Sequence, residues 1–152
     1  MPSTNLLNQL KAEYPQFTFR ESSEFRWSAE SRTLYVNLSD AHAPLFLLHE
    51  LAHALLDHQS YAQDIHLMQI ERDAWALVER TLGGRYGITF DESVAQDNLE
   101  TYREWLHDRS RCPSCTMTGL QSLHGRDYTC LGCGCRWKSN EARTCALRRT
   151  TM

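Results

Sequence analysis

Hydrophobic and polar positions in the first part of the chain predict one helix followed by three short strands. Apolar residues recur at helical spacing over residues 5–14, and Pro15 ends this pattern. Apolar and polar residues then alternate over three segments, residues 17–21, 25–28 and 33–38. Residues 29–32 predict a hairpin turn between the last two segments. We expect the three strands to form a small antiparallel sheet.

A markedly apolar helix is predicted next. Ser39, Asp40 and Pro44 are residue types that favour the start of a helix. Residues 45–56 contain no glycine or proline and are too apolar for a strand at the surface. We therefore expect this helix to be almost enclosed.

Two more helices complete the predicted body of the protein. Apolar residues at helical spacing predict a helix over about Asp64 to Leu82, which Gly83-Gly84 is expected to stop. The segment Thr89–Glu92 is a capping-box pattern that opens a third helix to about His107. Three to four helices and about three strands make residues 1–108 an α+β domain.

Charge and cysteine content both change near residue 108. Residues 1–108 carry 8 Lys+Arg and 17 Asp+Glu, whereas residues 109–152 carry 8 and 2, and all six cysteines lie beyond residue 111. The chain is expected to comprise an acidic body, a basic ribbon over residues 109–140 and a basic, flexible tail over residues 141–152.

Membrane insertion is not expected from the apolar pattern. The longest apolar stretch, residues 43–48, is far too short to cross a bilayer. No basic segment followed by an apolar run opens the sequence. We therefore expect a cytoplasmic protein.

The segment His49-Glu50-Leu51-Ala52-His53 carries the clearest chemistry. On a helix, residues four apart leave the same face about 6 Å apart along the axis, so both imidazoles can bind one ion. Glu50 lies about 100° away around the helix, where it can act as a general base rather than as a ligand. A buried structural histidine would explain either ring alone, but two at this spacing indicate a metal site. His58, about 140° round the same helix from His53, is expected to face elsewhere.

A catalytic zinc site normally needs a third protein ligand. The metzincin pattern requires a histidine six residues after His53, where this chain has Gln59, so that class is excluded. The second helix offers Glu71 one turn before a small alanine, and we choose it as the third ligand. Asp73 and His66 are the alternatives.

The segments at residues 49–58 and 71–76 resemble the ImmA/IrrE family of intracellular metallopeptidases. In that family, a glutamate that begins a Glu-x-x-Ala segment is the third metal ligand. The resemblance spans about residues 30–82 and implies a zincin-like fold. It also implies a general base, Glu50, and three zinc ligands, His49, His53 and Glu71. Trp75 stands where that family usually has Asn or Asp.

The overall order of domains is similar to that of SprT-like DNA–protein crosslink proteases, in which a metal domain precedes a zinc ribbon. In those proteins a histidine four residues before a tryptophan is the third ligand. Glu71 occupies that slot here, four residues before Trp75.

Two CxxC segments, Cys112–Cys115 and Cys130–Cys133, have the spacing of a zinc ribbon, with fourteen residues between them. Four thiolates from these segments are expected to hold a structural zinc ion. Residues 120–128 between them predict a hairpin. Cys135 could replace Cys133, and Cys145 is expected to be a free thiol.

Basic and aromatic residues of the ribbon suggest binding of DNA or RNA. Lysine and arginine neutralise phosphates, and exposed aromatic rings stack on unpaired bases. The candidate contacts are Arg126, Arg136, Trp137 and Lys138, with Tyr128 beside them. The alternative is that the ribbon docks on the acidic body or on a partner protein.

The sequence therefore predicts a two-zinc endopeptidase that acts on an intracellular protein, with Glu50 as general base. We expect its peptide substrate to lie along the strand at Thr33–Asn37. Candidates for stabilising the oxyanion are Tyr35, Tyr61, His66 and Tyr86. The alternative function is an inactive adaptor whose ribbon binds nucleic acid or a partner protein.

Overall fold

The computed structural model describes residues 2–141 and 147–152. Cys145, the predicted free thiol, lies outside the described residues. The fold is α+β and divides into two compact units. The first unit comprises Met1–Ser60 and Ile70–Ala95, and the second comprises Tyr61–Gln69 and Gln96–Met152. The chain passes from one unit to the other after Ser60, Gln69 and Ala95. A sequence domain boundary at residue 108 stays a prediction.

The first unit opens with helix α1, Pro2–Glu13, as the apolar spacing predicts. Its buried stripe consists of three leucines, Leu6, Leu7 and Leu10. Tyr14 and Phe17, on either side of Pro15, are also buried. The helix therefore ends where the chain turns into the sheet.

Three short strands form a mixed sheet rather than the predicted antiparallel one. They are β1 (Thr18–Glu21), β2 (Arg26–Ser28) and β3 (Thr33–Val36), in the order β1-β3-β2. Strands β2 and β3 form the predicted antiparallel hairpin, but β1 pairs with β3 in parallel. Leu34 and Val36 are completely buried, so β3 takes the central position and β1 is left at an edge.

Helix α2, Ala43–Leu55, is the enclosed helix that the sequence predicts. Pro44 lies in its first turn, and Asp40 Oδ1 accepts a hydrogen bond from the His42 N–H just before the helix. The helix contacts α1, β2 and β3. Because it is covered by several elements, its polar residues near the C-terminal end are buried with its leucines.

The next helix is longer than predicted. Helix α3 (Asp64–Leu77) continues through a π-helical turn (Val78–Leu82) into the short helix α4 (Gly83–Arg85). Gly83 does not stop the helix, because its φ of −56° is helical. A Cβ atom at this position would lie 2.9 Å from the carbonyl oxygen of Ile88, so the glycine allows the chain to return closely. The turn occurs at Gly87, with φ of +68°.

Helix α5, Glu92–Ser110, is capped by Asp91 rather than by the predicted Thr89. Asp91 Oδ1 accepts hydrogen bonds from the backbone N–H groups of Ser93 and Val94. The cap therefore lies one half-turn later than the capping-box pattern suggests. None of the helices among residues 2–141 and 147–152 is long and apolar enough to cross a membrane.

The second unit contains an antiparallel sheet in the order β4-β5-β6-β7. Its strands are Leu120–Gln121, Asp127–Thr129, Arg136–Ser139 and Arg149–Thr151. The first two strands confirm the hairpin predicted over residues 120–128. Strand β7 pairs with β6, so the ribbon sheet extends into the segment that was predicted as a flexible tail.

A buried ion pair explains why the start of α3 belongs to the ribbon unit. The side chains of Asp64 and Arg109 are both fully buried, and Arg109 Nε donates to Asp64 Oδ2 at 2.9 Å. The hydroxyl of Tyr128 donates to the same oxygen at 2.6 Å. These groups are far apart in the sequence, so a boundary drawn from composition does not detect them.

Candidate metal centres

Helix α2 places His49, Glu50 and His53 in the interior of the first unit. Their exposed fractions are 3%, 7% and 6%. Each residue offers one donor atom, and these atoms lie within 4.8 Å of one another, so the group could hold a metal ion. The Nε2 atoms of His49 and His53 are 3.1 Å apart, which agrees with their position on one helix face.

Glu71 of α3 brings a further donor to the same place. Its Oε2 atom lies 2.8 Å from Nε2 of His49 and 3.4 Å from Nε2 of His53. Ligand atoms of one tetrahedral zinc ion lie roughly 3.4 Å from one another, so this triangle fits a single ion. Of the three candidates for the third ligand, the structure brings Glu71 to the histidines. Asp73 is exposed, and His66 belongs to the second unit.

Burial and hydrogen bonding set the charges of these groups. Burial lowers the pKa of His49 to about 4. Burial also acts to lower the pKa of His53, but the hydrogen bond and charge of Glu71 outweigh it and raise this pKa. Burial would raise the pKa of Glu71, yet its hydrogen bonds with both histidines hold the pKa well below its usual value. Glu71 is therefore a carboxylate and His49 a neutral imidazole at neutral pH, and both can bind a cation in these states.

Glu50 is in a different electrostatic situation. Burial raises the pKa of its carboxyl group to about 7, and the charges of His53 and, to a smaller extent, Arg26 partly oppose this rise. Arg26 lies on β2, with its guanidinium carbon 4.4 Å from the centre of the Tyr35 ring. A carboxyl group with a pKa near 7 is suited to take up and return a proton at neutral pH. The strand pattern alone did not indicate that Arg26 acts on Glu50.

Trp75 packs directly against a candidate ligand. Its indole ring stacks on the imidazole of His49, with ring centres 4.2 Å apart and an interplanar angle of 24°. The Nδ1 atom of His49 is buried and has no hydrogen-bond partner among the described residues. The ring of His49 is therefore held by packing and by its Nε2 contacts.

His58 lies beside the site, although helical spacing alone predicts that it faces elsewhere. Its Nδ1 atom is 2.8 Å from Nδ1 of His53. The expectation assumed a continuous helix, but α2 ends at Leu55 and the chain turns back. Burial and the charge of His53 lower the pKa of His58, and the charge of Asp73 opposes this effect. Only the geometry of the helix end could have indicated this contact.

The four candidate residues for stabilising the oxyanion differ in their surroundings. The hydroxyl of Tyr86 donates to Glu13 at 2.6 Å, and burial and this hydrogen bond raise its pKa, so it is engaged elsewhere. Tyr61 and His66 belong to the second unit. Tyr35 lies on β3 in the first unit and contacts Arg26.

The prediction that a peptide substrate lies along the strand at Thr33–Asn37 is wrong, because β3 is the central strand of its sheet. Both of its edges are paired, one with β1 and the other with β2. The edge strands of this sheet, to which a peptide could add hydrogen bonds, are β1 and β2.

The second candidate centre is formed by Cys112, Cys115, Cys130 and Cys133. Their sulfur atoms lie within 4.8 Å of one another, so the cluster could hold a metal ion. Burial acts to raise the pKa of Cys112, but hydrogen bonds from the backbone N–H groups of Cys115 and Ser114 outweigh it and lower this pKa. The backbone of Cys135 acts to lower the pKa of Cys133, but hydrogen bonding with Cys112 and burial outweigh it and raise this pKa. A thiolate is the form of cysteine that binds metals.

Two neighbours of the second CxxC segment have distinct roles. Gly134 has a φ of +75°, and its N–H donates to the carbonyl oxygen of Cys130 at 2.9 Å. Gly134 therefore forms a left-handed turn, which the absence of a side chain allows. Cys135 is outside the four-sulfur cluster, and its Sγ contacts the carbonyl oxygen of Arg136 at 3.8 Å.

Aromatic stacking on bases by the ribbon is not supported by the structure. Trp137 is completely buried and Tyr128 is 2% exposed. Their rings stack on each other with centres 5.6 Å apart, and together they form the core of the ribbon. Trp137 was predicted as a nucleic-acid contact, and this prediction is wrong because so small a domain needs both rings for its interior.

The remaining candidate contacts are exposed cations: Arg126, Arg136 and Lys138. Arg136 donates to Asp127 at 2.9 Å, so part of its charge is balanced. Arg126 lies 3.8 Å from Glu141 and 5.1 Å from the centre of the Tyr61 ring. The exposed charge of the ribbon is thus smaller than its composition suggests.

Comparison of the chain with models of known families, with curated proteins and with solved structures found no match.

Proposed function

We propose that the chain is a zinc-dependent endopeptidase acting on a protein substrate. The observation that carries this proposal is the convergence of two imidazole nitrogens and one carboxylate oxygen, 2.8–3.4 Å apart, inside the protein. A second carboxyl group, that of Glu50, is buried beside them. Three ligands and a neighbouring acid are the parts of a hydrolytic zinc site. The same proposal includes a zincin-like fold. It also includes the likeness of residues 49–58 and 71–76 to ImmA/IrrE peptidases.

In this proposal His49, His53 and Glu71 hold the zinc ion. When bound, zinc supplies a Lewis acid that polarises a carbonyl group and makes water easier to deprotonate. Glu50 takes the proton from the attacking water and returns it to the leaving amine. In the metal-free protein burial raises the pKa of Glu50 to about 7, so this buried carboxyl group can accept a proton near neutral pH.

The peptide substrate is proposed to pair with the edge strand β2. Helix α2 contacts β2, and β2 has only one strand neighbour in its sheet, β3. Main-chain hydrogen bonds to such an edge hold a peptide extended while its side chains vary. Arg26 lies on this strand, and its positive charge acts on Glu50.

A second zinc ion, held by the four cysteines, is proposed to be structural. The ribbon is small, and a metal ion supplies stability that its limited core does not. Binding of DNA or RNA through Arg126, Arg136 and Lys138 is proposed on charge alone.

The test is a cleavage assay on an unstructured protein such as casein, analysed by mass spectrometry. The proteins compared are the wild type, Glu50→Gln, and Glu30→Gln as a control, since Glu30 is exposed in a turn. We expect cleavage by the wild type and the control, loss of cleavage on adding a chelator, and a loss of at least about 100-fold for Glu50→Gln with zinc retained. Parallel samples with single-stranded DNA report whether the ribbon recruits nucleic acid.

Two outcomes would contradict the peptidase. One is cleavage by Glu50→Gln at the wild-type rate, which would remove Glu50 from the mechanism. The other is no cleavage by a wild-type protein that carries two zinc ions per chain. That result would favour the alternative function, an adaptor whose metal sites serve only its structure and its binding.

A further inference from the structure

The imidazole of His53 has a polar contact at each of its two nitrogens. Its Nε2 atom lies 3.1 Å from Nε2 of His49 and 3.4 Å from the carboxylate of Glu71. Its Nδ1 atom lies 2.8 Å from Nδ1 of His58, and the two rings are steeply inclined, at 63°. His53 is 6% exposed, so its hydrogen bonds must come from the protein.

The end of α2 holds His58 in this place. Asp57 has a φ of +52°, and the N–H of His58 donates to the carbonyl oxygen of His53 at 3.0 Å. The N–H of Asp57 donates to Ala54 at 3.1 Å, which completes the Schellman pattern of a helix C-terminus. Trp27 Nε1 then donates to the carbonyl oxygen of His58 at 2.9 Å and ties it to β2. The backbone turn at the end of α2 and the Trp27 side chain therefore hold the backbone of His58 in place.

We propose that His58 is a positioning residue for His53, and this inference rests on the proposed role of His53 as a metal ligand. An imidazole that binds a metal through Nε2 carries its single proton on Nδ1. The Nδ1–H of His53 then donates to the lone pair on Nδ1 of His58, whose own proton lies on Nε2. This hydrogen bond selects the tautomer in which Nε2 of His53 is free to bind, and it sets the orientation of the ring.

The two histidines of the site are supported unequally. Nδ1 of His49 has no hydrogen-bond partner among the described residues, and its ring is held by Trp75. Among the described residues, His58 is thus the one that forms a hydrogen bond with Nδ1 of a proposed ligand histidine. Loss of such an outer hydrogen bond weakens metal binding by roughly 10- to 100-fold.

The variants His58→Leu and His58→Asn separate the hydrogen bond from the packing of the ring. Leucine is apolar and accepts nothing, whereas the Oδ1 atom of asparagine lies close to where Nδ1 of histidine lies and can accept. His42→Leu is the control, because His42 is exposed and its side chain makes no capping hydrogen bond. The full chain is titrated with Co²⁺, whose thiolate charge-transfer bands report the ribbon separately from the nitrogen and oxygen site.

We expect His58→Leu to lose roughly 10- to 100-fold in Co²⁺ affinity at the histidine site, with unchanged thiolate bands. His58→Asn should recover most of this loss, and His42→Leu should match the wild type. Wild-type affinity in His58→Leu overturns the positioning role, and equal losses in both variants assign the effect to ring packing instead. If the wild type binds Co²⁺ only through thiolates, the proposed metal site itself has failed. Absence of peptidase activity with these affinities intact would count against the proposed function alone.

Discussion

The indole ring of Trp75 lies on the imidazole of His49, with the ring centres 4.2 Å apart and the planes 24° from parallel. Trp75 is 3% exposed and also makes edge contacts with Phe46 and Phe90. Nδ1 of His49 has no hydrogen-bond partner among the described residues. Packing against Trp75 therefore holds one face of the His49 ring.

Replacement of Trp75 should reduce both stability and metal affinity. Trp75→Leu removes a large buried ring, and we expect the free energy of unfolding to fall by about 2–4 kcal/mol. Trp75→Asn introduces a small polar residue, which the proposed likeness to ImmA/IrrE peptidases favours, but leaves a cavity beside His49. We expect it to bind zinc more weakly than the wild type, measured by competition with a chromogenic chelator. Tighter binding by Trp75→Asn would show that the tryptophan impairs the site.

Glu50 should make the stability of the metal-free protein fall as the pH rises. Its pKa is about 7 in the folded protein and 4.5 is its ordinary value, so the folded state favours the protonated form. The stabilisation from protonated Glu50 is complete below pH 4.5 and is lost as the pH rises through about 7.

Glu50→Gln removes this dependence because glutamine stays neutral. We expect the variant to exceed the wild type in free energy of unfolding by about 2–3 kcal/mol at pH 8.5, and by much less at pH 5. Urea denaturation of both proteins in the same chelator gives this difference directly. A difference that is constant with pH would contradict a raised pKa.

Cys133 and Cys135 should differ in their effect on zinc content. Cys133 belongs to the four-sulfur cluster, whereas Cys135 does not. If the chain binds the two proposed zinc ions, Cys133→Ser should lower the zinc content to one ion per chain, and Cys135→Ser should leave it at two, as measured by elemental analysis. Two zinc ions in both variants would mean that Cys135 replaces Cys133.

The buried pair of Arg109 and Asp64 should be essential to the ribbon unit. Arg109→Met leaves Asp64 buried without its cation, which costs roughly 3–5 kcal/mol. Tyr128→Phe removes one hydrogen bond to the same carboxylate and should cost about 1–2 kcal/mol.

The matched control for the ion pair is Arg103→Met, since Arg103 lies on the same helix and pairs with Glu100 at an exposed site. We expect it to change the free energy of unfolding by about 0.5 kcal/mol or less. The measurement is thermal unfolding of the zinc-loaded protein. Equal effects of Arg109→Met and Arg103→Met would contradict a buried pair.

The sequence by itself determined the features that depend on neighbouring residues. The spacing of His49 and His53 places both rings on one face of a helix, and the two CxxC segments form one cluster, because a few residues of local chain decide each of these. Turn and helix patterns likewise predicted α1, the hairpin of β2 and β3, and the hairpin over residues 120–128.

Only the tertiary structure decided which distant groups meet. Burial of β3 made it the central strand, and the turn after α2 brought His58 to His53. Asp64 lies with the ribbon because its buried carboxylate meets a cation 45 residues away. Trp137 was needed inside the ribbon and is not available on its surface. Such contacts follow from packing and from the pairing of buried charges over the whole fold, which local spacing does not encode.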